Sequence, residues 1–282
     1  MVSEGILLGL GVALCWGVAD FFAKIATTRE KNYVPIHISA FFGFLILIAY
    51  NILSPPVGYA PFTIIFGIAP VAFLWAFGWW LFFLSLREGK VSVISSIGGS
   101  FGLVTLLLGM VVLGETPSIL QILGALLIVI SVFILSLGSL DLSKIIFDQD
   151  SLRATGAMIC WGIGFIMIVP FAKAYPPQVS VLSHVMFTLI FTTLFVLISG
   201  KKFLPSRKRN FIPSIFASVD AIGNVIYYAA AATVYTSLLA PLSSIYPLFA
   251  VILAYLFLNE RLKRFQIVSI AGILLGILLI SM

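Results

Sequence analysis

A 145-residue internal repeat constrains the fold more than any other feature of this sequence. The run Cys15-Trp16-Gly17 recurs as Cys160-Trp161-Gly162, a shift of 145 residues from 15 to 160. Two polar pairs align in the same register without a gap: Glu115 with Glu260, and Gln121 with Gln266. Matched tryptophans and polar residues are a stronger signal than matched leucines, which coincide often in an apolar chain. The sequence therefore predicts one structural unit used twice.

The composition places most of this unit in lipid. Apolar residues fill 61% of the 282 positions and charged residues fill 9%, and the mean hydropathy is +1.19. Soluble proteins have about 45–50% apolar and about 25% charged residues, so a surface this apolar needs a bilayer as its solvent. The N-terminus has no basic region before its apolar run, and we expect the first segment to stay as a membrane span.

Ten apolar stretches have the length that a membrane-crossing helix needs, about 20 residues. Charges, prolines and glycines separate them, and they lie at 4–26, 34–54, 62–86, 91–113, 117–138, 152–173, 178–199, 211–234, 237–258 and 264–281. The predicted fold class is an all-α integral membrane protein with ten transmembrane helices in two five-helix repeats. The repeats are predicted at 1–139 and 151–282, with a polar linker at 140–150.

Lysine and arginine are distributed very unevenly among the connections between spans. Fifteen of the sixteen fall in the odd-numbered connections, and Lys173 is the exception. The positive-inside rule places those connections in the cytoplasm and both termini outside. Because each half has an odd number of spans, the second half is predicted to enter the membrane upside down relative to the first. Inverted repeats with a site between them are a recurring transporter architecture.

Several function classes are not expected from this sequence. The net charge of +6 includes a basic cluster at 201–209 but no basic face interleaved with aromatic residues, so we expect no nucleic-acid partner. The two cysteines and two histidines lack metal-ligand spacing, so we expect no metal and no cofactor. The sequence also has no nucleotide-binding motif, which argues against direct ATP hydrolysis.

The ten spans, the inverted repeat and a glutamate before the last helix of each half resemble the EamA-type transporters of the drug/metabolite transporter superfamily. The local stretches most similar to that family are 107–115 and 247–262, together with the Trp-Gly elements of the first and sixth spans. The resemblance implies a multi-pass protein of the cytoplasmic membrane that exports small amphiphilic metabolites, such as amino acids, by alternating access. It also implies that spans 1, 3, 4, 6, 8 and 9 line a central cavity. Gly102 stands where the register places a partner for Pro247, which predicts that the two halves bend differently there.

Asp220 is the most informative ionisable residue, because charges inside a span are costly and need a partner or water. It lies about midway along the eighth span, and Asn224 and Tyr227 or Tyr228 follow on the same helical face. This face could bind a cationic or hydrogen-bonding group of a substrate, or couple transport to protons. The alternative is a passive bond between Asp220 and a neighbouring helix.

Asp20 and Lys24 form a second polar group, spaced i,i+4 with the acid first. This order favours a local ion pair, and the alternative is a gate at the inner mouth or a clamp for a zwitterion. His184 lies about two turns into the seventh span. It is predicted either to hydrogen-bond across helices or to relay a proton, so Asp220, Asp20 and His184 are the candidates for proton coupling.

Aromatic residues are frequent, and an apolar cavity lined by rings and a few polar groups suits an amphiphilic solute. The residues predicted to bind the substrate combine rings and polar groups near the expected cavity: Trp16, Asp20, Ser96, Trp161, Asp220, Asn224, Tyr227 and Tyr246. The predicted partners are this small molecule and the lipid bilayer. The Gly272/Gly276 pair in the last span is predicted to serve either packing within the chain or a homodimer.

Two alternatives to a secondary transporter are left open by the residues. One is a channel or facilitative pore. The other is an intramembrane serine hydrolase, because the run Gly98 to Gly102 fits the G-x-S-x-G pattern with Ser100 as nucleophile. That chemistry needs a strand-turn-helix setting and a positioned base, whereas Ser100 lies in an apolar span. We therefore expect no enzymatic activity.

Overall fold

The regular secondary structure is helical throughout the residues that the structure describes. The structure is a computed structural model, and it describes residues 2–27, 34–56, 62–86, 94, 97–136, 149–198, 215–258 and 262–282. The α-helices in chain order are α1 (Val2–Thr27), α2 (Val34–Leu53), α3 (Phe62–Gly67), α4 (Ala69–Leu86), α5 (Phe101–Val112), α6 (Ile119–Ser136), α7 (Gln149–Ala174), α8 (Pro177–Ile198), α9 (Asp220–Ala231), α10 (Thr236–Ser243), α11 (Tyr246–Leu258) and α12 (Arg264–Ser281). A 3₁₀ turn (Ala217–Val219) precedes α9.

Six stretches of the described chain are long and apolar enough to cross a membrane. They are Glu4–Phe22, Ile65–Phe82, Gln149–Ala174, Pro177–Ile198, Thr236–Phe257 and Arg264–Ser281. Three shorter apolar helices lie at His37–Leu53, Phe101–Val112 and Ile119–Leu135. The prediction of an all-helical membrane protein is confirmed, while the count of ten spans stays a prediction. Most of the predicted linker lies outside the described residues.

The third predicted span is two helices, because the chain turns at Ile68 between α3 and α4. Pro70 explains this turn, since proline has no N–H to donate to the carbonyl four residues earlier and is well tolerated in the first turn of a helix. The helix resumes with a bond from the Ala72 N–H to the Ile68 oxygen at 3.1 Å.

The fourth and ninth spans break at equivalent positions, at residues 99–100 and 244–245. Each break is closed by the same pair of tight i→i+3 hydrogen bonds. They join Ile97 with Ser100 and Ser100 with Leu103 in the first half, and Leu242 with Ile245 and Ile245 with Leu248 in the second. All these positions correspond under the 145-residue shift. The two halves therefore break at the same place, although Gly102 in the first half replaces Pro247 in the second.

Contacts between the halves also obey the repeat. A Cβ atom built on Gly17 of α1 would lie 2.5 Å from the backbone oxygen of Tyr246 on α11. A Cβ atom built on the equivalent Gly162 of α7 would lie 2.5 Å from the Cβ atom of Val104 on α5 and 3.3 Å from the oxygen of Phe101. Since the 145-residue shift exchanges these two sets of contacts, the halves are related by a pseudo-two-fold axis.

The helices that end the two halves, α6 and α12, pack directly on each other. A Cβ atom on Gly124 would lie 2.7 Å from the Gly276 oxygen, and one on Gly276 would lie 2.8 Å from the Gly124 oxygen. Such small residues allow helix backbones to approach closely. The Gly272/Gly276 face therefore serves packing within the chain, and the homodimer stays a prediction.

Candidate functional site

The repeated Cys-Trp-Gly motif places one tryptophan of each half over a glycine of the other half. A Cβ atom on Gly223 of α9 would lie 2.7 Å from Trp16 Nε1, and one on Gly78 of α4 would lie 2.7 Å from Trp161 Nε1. The glycine of each motif contacts the broken helix of the opposite half, as described above for Gly17. Both indoles of the motif thus pack closely against the opposite half, near the pseudo-two-fold axis.

A cavity of about 120 Å³ lies between the halves, next to these indoles. Most of its wall consists of residues that correspond under the repeat. The pairs are Trp16/Trp161, Asp20/Phe165, Ser39/His184, Ala40/Val185, Gly43/Thr188, Trp75/Asp220, Trp79/Asn224 and Phe101/Tyr246. Because both members of each pair reach the same cavity, the pseudo-two-fold axis passes through it. Phe101 and Tyr246 begin α5 and α11 directly after the two helix breaks, and their rings stack at 6.4 Å.

Six of the eight residues predicted to bind substrate line this cavity: Trp16, Asp20, Trp161, Asp220, Asn224 and Tyr246. The seventh, Tyr227, lies behind the wall, where its ring stacks on Trp16 at 5.7 Å and contacts Phe165 at 4.4 Å. It therefore supports the wall rather than forming it. The eighth, Ser96, lies outside the described residues. His184, a candidate for proton coupling, also lines the cavity.

The second and seventh spans also contribute to the wall, which the sequence did not predict. Ser39, Ala40 and Gly43 come from α2, and His184, Val185 and Thr188 come from α8. Ala40, Gly43 and Val185 give no polarity signal that would identify a cavity in a membrane span. The repeat register was the available signal, because it aligns Ser39 with the histidine at 184.

The two halves of the wall differ in charge. Asp20 corresponds to Phe165, and Asp220 corresponds to Trp75. The carboxylates belong to α1 and α9, which pack together, whereas the two rings belong to α7 and α4, where their centroids are 4.7 Å apart. The cavity therefore has an acidic side formed by α1 and α9, and an aromatic side formed by α4 and α7.

Asp220 is the first residue of α9 and follows the 3₁₀ turn directly, so it lies at a helix junction and not within one continuous helix. Asn224 Nδ2 donates a hydrogen bond to Asp220 Oδ2 at 2.8 Å. The predicted shared face is thus confirmed for these two residues. This bond lies within one helix, so it differs from the passive link to a neighbouring helix that the sequence left open.

His184 makes the cross-helix bond that the sequence allowed. The hydroxyl of Tyr228 and His184 Nδ1 are 3.0 Å apart, and the imidazole meets the Trp75 ring edge to face at 5.2 Å. Both His184 and Tyr228 are 1% exposed. His184 therefore joins α8 and α9 at the cavity wall.

Within the described residues, three buried hydrogen-bonding atoms of the wall have no partner: Trp16 Nε1, His184 Nε2 and Thr188 Oγ1. The repeat-equivalent indole of the second half, that of Trp161, does have a partner. Trp161 Nε1 donates to the backbone oxygen of Trp75 at 3.4 Å, and the equivalent acceptor for Trp16 is the oxygen of Asp220. The 3₁₀ turn before Asp220 replaces regular α-helix there, and this bond is not formed. Buried polar groups are normally paired, so these atoms can bind a solute in the cavity.

Ser100, the serine of the G-x-S-x-G pattern, lies in a turn between two helical segments. The nucleophile elbow needs a strand before that turn. The same turn recurs in the second half with Ile245 in place of serine. The turn is thus an element of the repeat, and the predicted setting for a hydrolase is not met. The side chain of Lys24, the predicted partner of Asp20, lies outside those described.

Comparison with known proteins shows similarity to one family and to individual proteins. The sequence model of the EamA-like transporter family matches residues 3–137 and again residues 152–282. The uncharacterized protein MJ1333.1 of Methanocaldococcus jannaschii is 31% identical over 144 residues, which cover 49% of this chain and 100% of that protein. A crystal structure of a protein at 15% identity superposes with a TM-score of 0.78, covering 98% of this chain and 94% of the other. This last match shows a shared fold. The half-length relative corresponds in size to one repeat.

Proposed function

Because the chain belongs to the EamA-like transporter family, we propose that it is a secondary transporter of a small amphiphilic metabolite, the class to which amino acids belong. The observation that carries this proposal is the cavity on the pseudo-two-fold axis. Its wall is rich in rings, includes two carboxylates and contains buried polar atoms that have no partner within the described part of the chain. Binding sites for small molecules combine an apolar wall with a few polar groups in this way.

Alternating access between the two halves is the proposed mechanism. The helix breaks at 99–100 and 244–245 lie beside the cavity, next to Phe101 and Tyr246. A backbone interrupted in this way can bend at the point where a solute binds. The solute shifts the balance between access states only if it binds them with different affinity, and the wall atoms without partners are suited to such a difference.

The remaining features of the proposal come from the sequence. The lysine and arginine distribution supports a cytoplasmic-membrane protein with the odd-numbered connections inside. The family resemblance supports export from the cytoplasm. Asp220, Asp20 and His184 are the proposed proton-coupling groups, because all three line the cavity.

Tracer counterflow in proteoliposomes tests this proposal. A metabolite panel screened by thermal shift first supplies a ligand, and an excess of that ligand inside the vesicles is expected to drive transient, saturable accumulation of the labelled solute. Flux that does not saturate contradicts a transporter and favours the channel. The same vesicles test coupling: if the pH dependence of transport is unchanged in Asp220→Asn, Asp220 is not the coupling group.

A further inference from the structure

We propose that the solute bound in this cavity carries a net positive charge, as an organic ammonium ion with an apolar body. This inference rests on the proposed function and narrows its substrate class. Zwitterions such as the neutral amino acids, and anions, are predicted to bind much more weakly.

The charge of the acidic side supports this choice. Asp20 and Asp220 line the cavity, and no lysine or arginine of the described residues does so. Lys24 lies one turn after Asp20 on α1 and is its predicted ion-pair partner. The negative charge on which the proposal depends is therefore that of Asp220. Its hydrogen-bond donor among the described residues is Asn224, which is neutral and leaves the negative charge uncompensated. A charge in an apolar wall needs a counter-charge, and a bound ammonium ion supplies one.

The aromatic side supports the rest of the solute. Trp75, Trp79 and Phe165 line it, and the Trp79 ring lies 5.1 Å from that of Trp161. These rings pack against an apolar body, and their faces also attract a cation. A solute with an ammonium group at the acidic side can therefore place its body against these rings.

A carboxylate on the solute finds poor partners in this wall. Among the described residues, the buried wall groups without partners are an indole N–H at Trp16, a hydroxyl at Thr188 and one imidazole nitrogen at His184. His184 already bonds Tyr228 through its other ring nitrogen. Carboxylates are bound best by guanidinium or ammonium groups, and a second negative charge near Asp220 is repelled. The wall therefore selects against anions and zwitterions.

A charge-matched set of probes with one ring tests this inference: 2-phenylethylamine as the cation, phenylalanine as the zwitterion, 3-phenylpropionate as the anion and 2-phenylethanol as the neutral solute. Tryptophan fluorescence of the full chain in phosphatidylcholine nanodiscs reports binding. Four of the five tryptophans line the cavity, namely Trp16, Trp75, Trp79 and Trp161. Nanodiscs without protein correct for partitioning into lipid. We expect the amine to saturate the signal at a concentration at least ten-fold below that of each other probe.

Two variants locate the charge preference. Asp220→Asn removes the carboxylate with little change of shape, and we expect it to reduce the affinity for the amine at least ten-fold, to that of the alcohol. Asp150→Asn is the matched control, because Asp150 is paired with Arg153 at 2.8 Å at the start of α7 and does not line the cavity. It is expected to bind the amine as the unmodified chain does.

The order of affinities in the unmodified chain decides the inference even if Asp220→Asn does not fold. Phenylalanine or 3-phenylpropionate binding as tightly as the amine overturns it, and so does the absence of a saturable signal with any probe. Counterflow separates the two proposals. Saturable counterflow of a zwitterion supports the proposed function and contradicts the inference. An amine that binds but shows no counterflow supports the inferred binding site and contradicts the proposed transport.

Discussion

Replacing Gly17 by alanine is expected to destabilise the packing of the two halves. The added Cβ atom would lie 2.5 Å from both the Phe249 Cβ atom and the Tyr246 oxygen, and 3.3 Å from the Ala250 nitrogen. Two of these atoms are backbone and cannot rotate away, so α1 and α11 have to separate. Overpacking of this kind costs about 1–3 kcal/mol, more than the gain of about 1 kcal/mol that alanine gives over glycine in a helix. A lower thermal unfolding temperature of the purified protein checks this result.

Gly11→Ala provides the matched control on the same helix. The nearest atom to its added Cβ is Ile226 Cδ1 at 3.9 Å, an ordinary contact, so this variant is expected to unfold at or slightly above the wild-type temperature. Gly162→Ala is expected to behave like Gly17→Ala, because the repeat gives Gly162 the equivalent contact with α5. If Gly17→Ala is as stable as Gly11→Ala, the close approach of the halves at the motif is refuted.

Loss of the Glu115 carboxylate is the second change with a large expected effect. Glu115 follows α5, and its Oε1 and Oε2 accept the backbone N–H groups of Thr236 at 2.8 Å and Ser237 at 2.7 Å. These residues begin α10 and are buried. A helix N-terminus has N–H groups without partners and attracts negative charge. Each buried donor left unpaired costs about 1–3 kcal/mol, so Glu115→Ala is expected to destabilise the start of α10 strongly.

Hydrogen exchange at Thr236 and Ser237, together with thermal unfolding, measures this effect. Glu115→Gln retains one acceptor oxygen and is expected to be intermediate. Glu4→Gln removes an exposed carboxylate from the first turn of α1 and is expected to change neither quantity. Wild-type exchange at both amides in Glu115→Ala would show that the carboxylate does not hold this helix end.

The repetition of Glu115 in the second half could be predicted from the sequence, but its structural role could not. The register identified Glu115 and Glu260 as a repeated pair, and the family resemblance that included them is confirmed. Their role was not predictable, because it depends on a contact with a helix more than a hundred residues away. By the same register, residues 91 and 92 correspond to Thr236 and Ser237, and they lie outside the described residues, as does Glu260.

The cavity wall was predicted only in part, because some of its residues can be identified only from their position in the fold. Charge and ring chemistry identified Trp16, Asp20, Asp220 and Asn224, because polar and large residues are conspicuous in apolar spans. Position within the fold decided the others: Tyr227 lies behind the wall, and α2 contributes small residues such as Gly43. The break at 244–245 had a local signal in Pro247, which lies in the first turn of α11. The equivalent break at 99–100 had none of this kind, because no proline lies between Pro70 and Pro117.

The proposed mechanism depends on one unit being used twice, in opposite orientations, around the cavity. Ser118 and Lys263 test it, because they are repeat-equivalent, exposed and held by the same bond, from their N–H to the Oε1 of Gln121 or Gln266 at 2.9 Å. Single cysteines can be introduced as Ser118→Cys or Lys263→Cys after Cys15 and Cys160 are replaced by serine. With a membrane-impermeant thiol reagent on intact cells, Ser118→Cys is predicted to be labelled from outside, and Lys263→Cys only after permeabilisation. Labelling of both positions from the same side would contradict the inverted repeat.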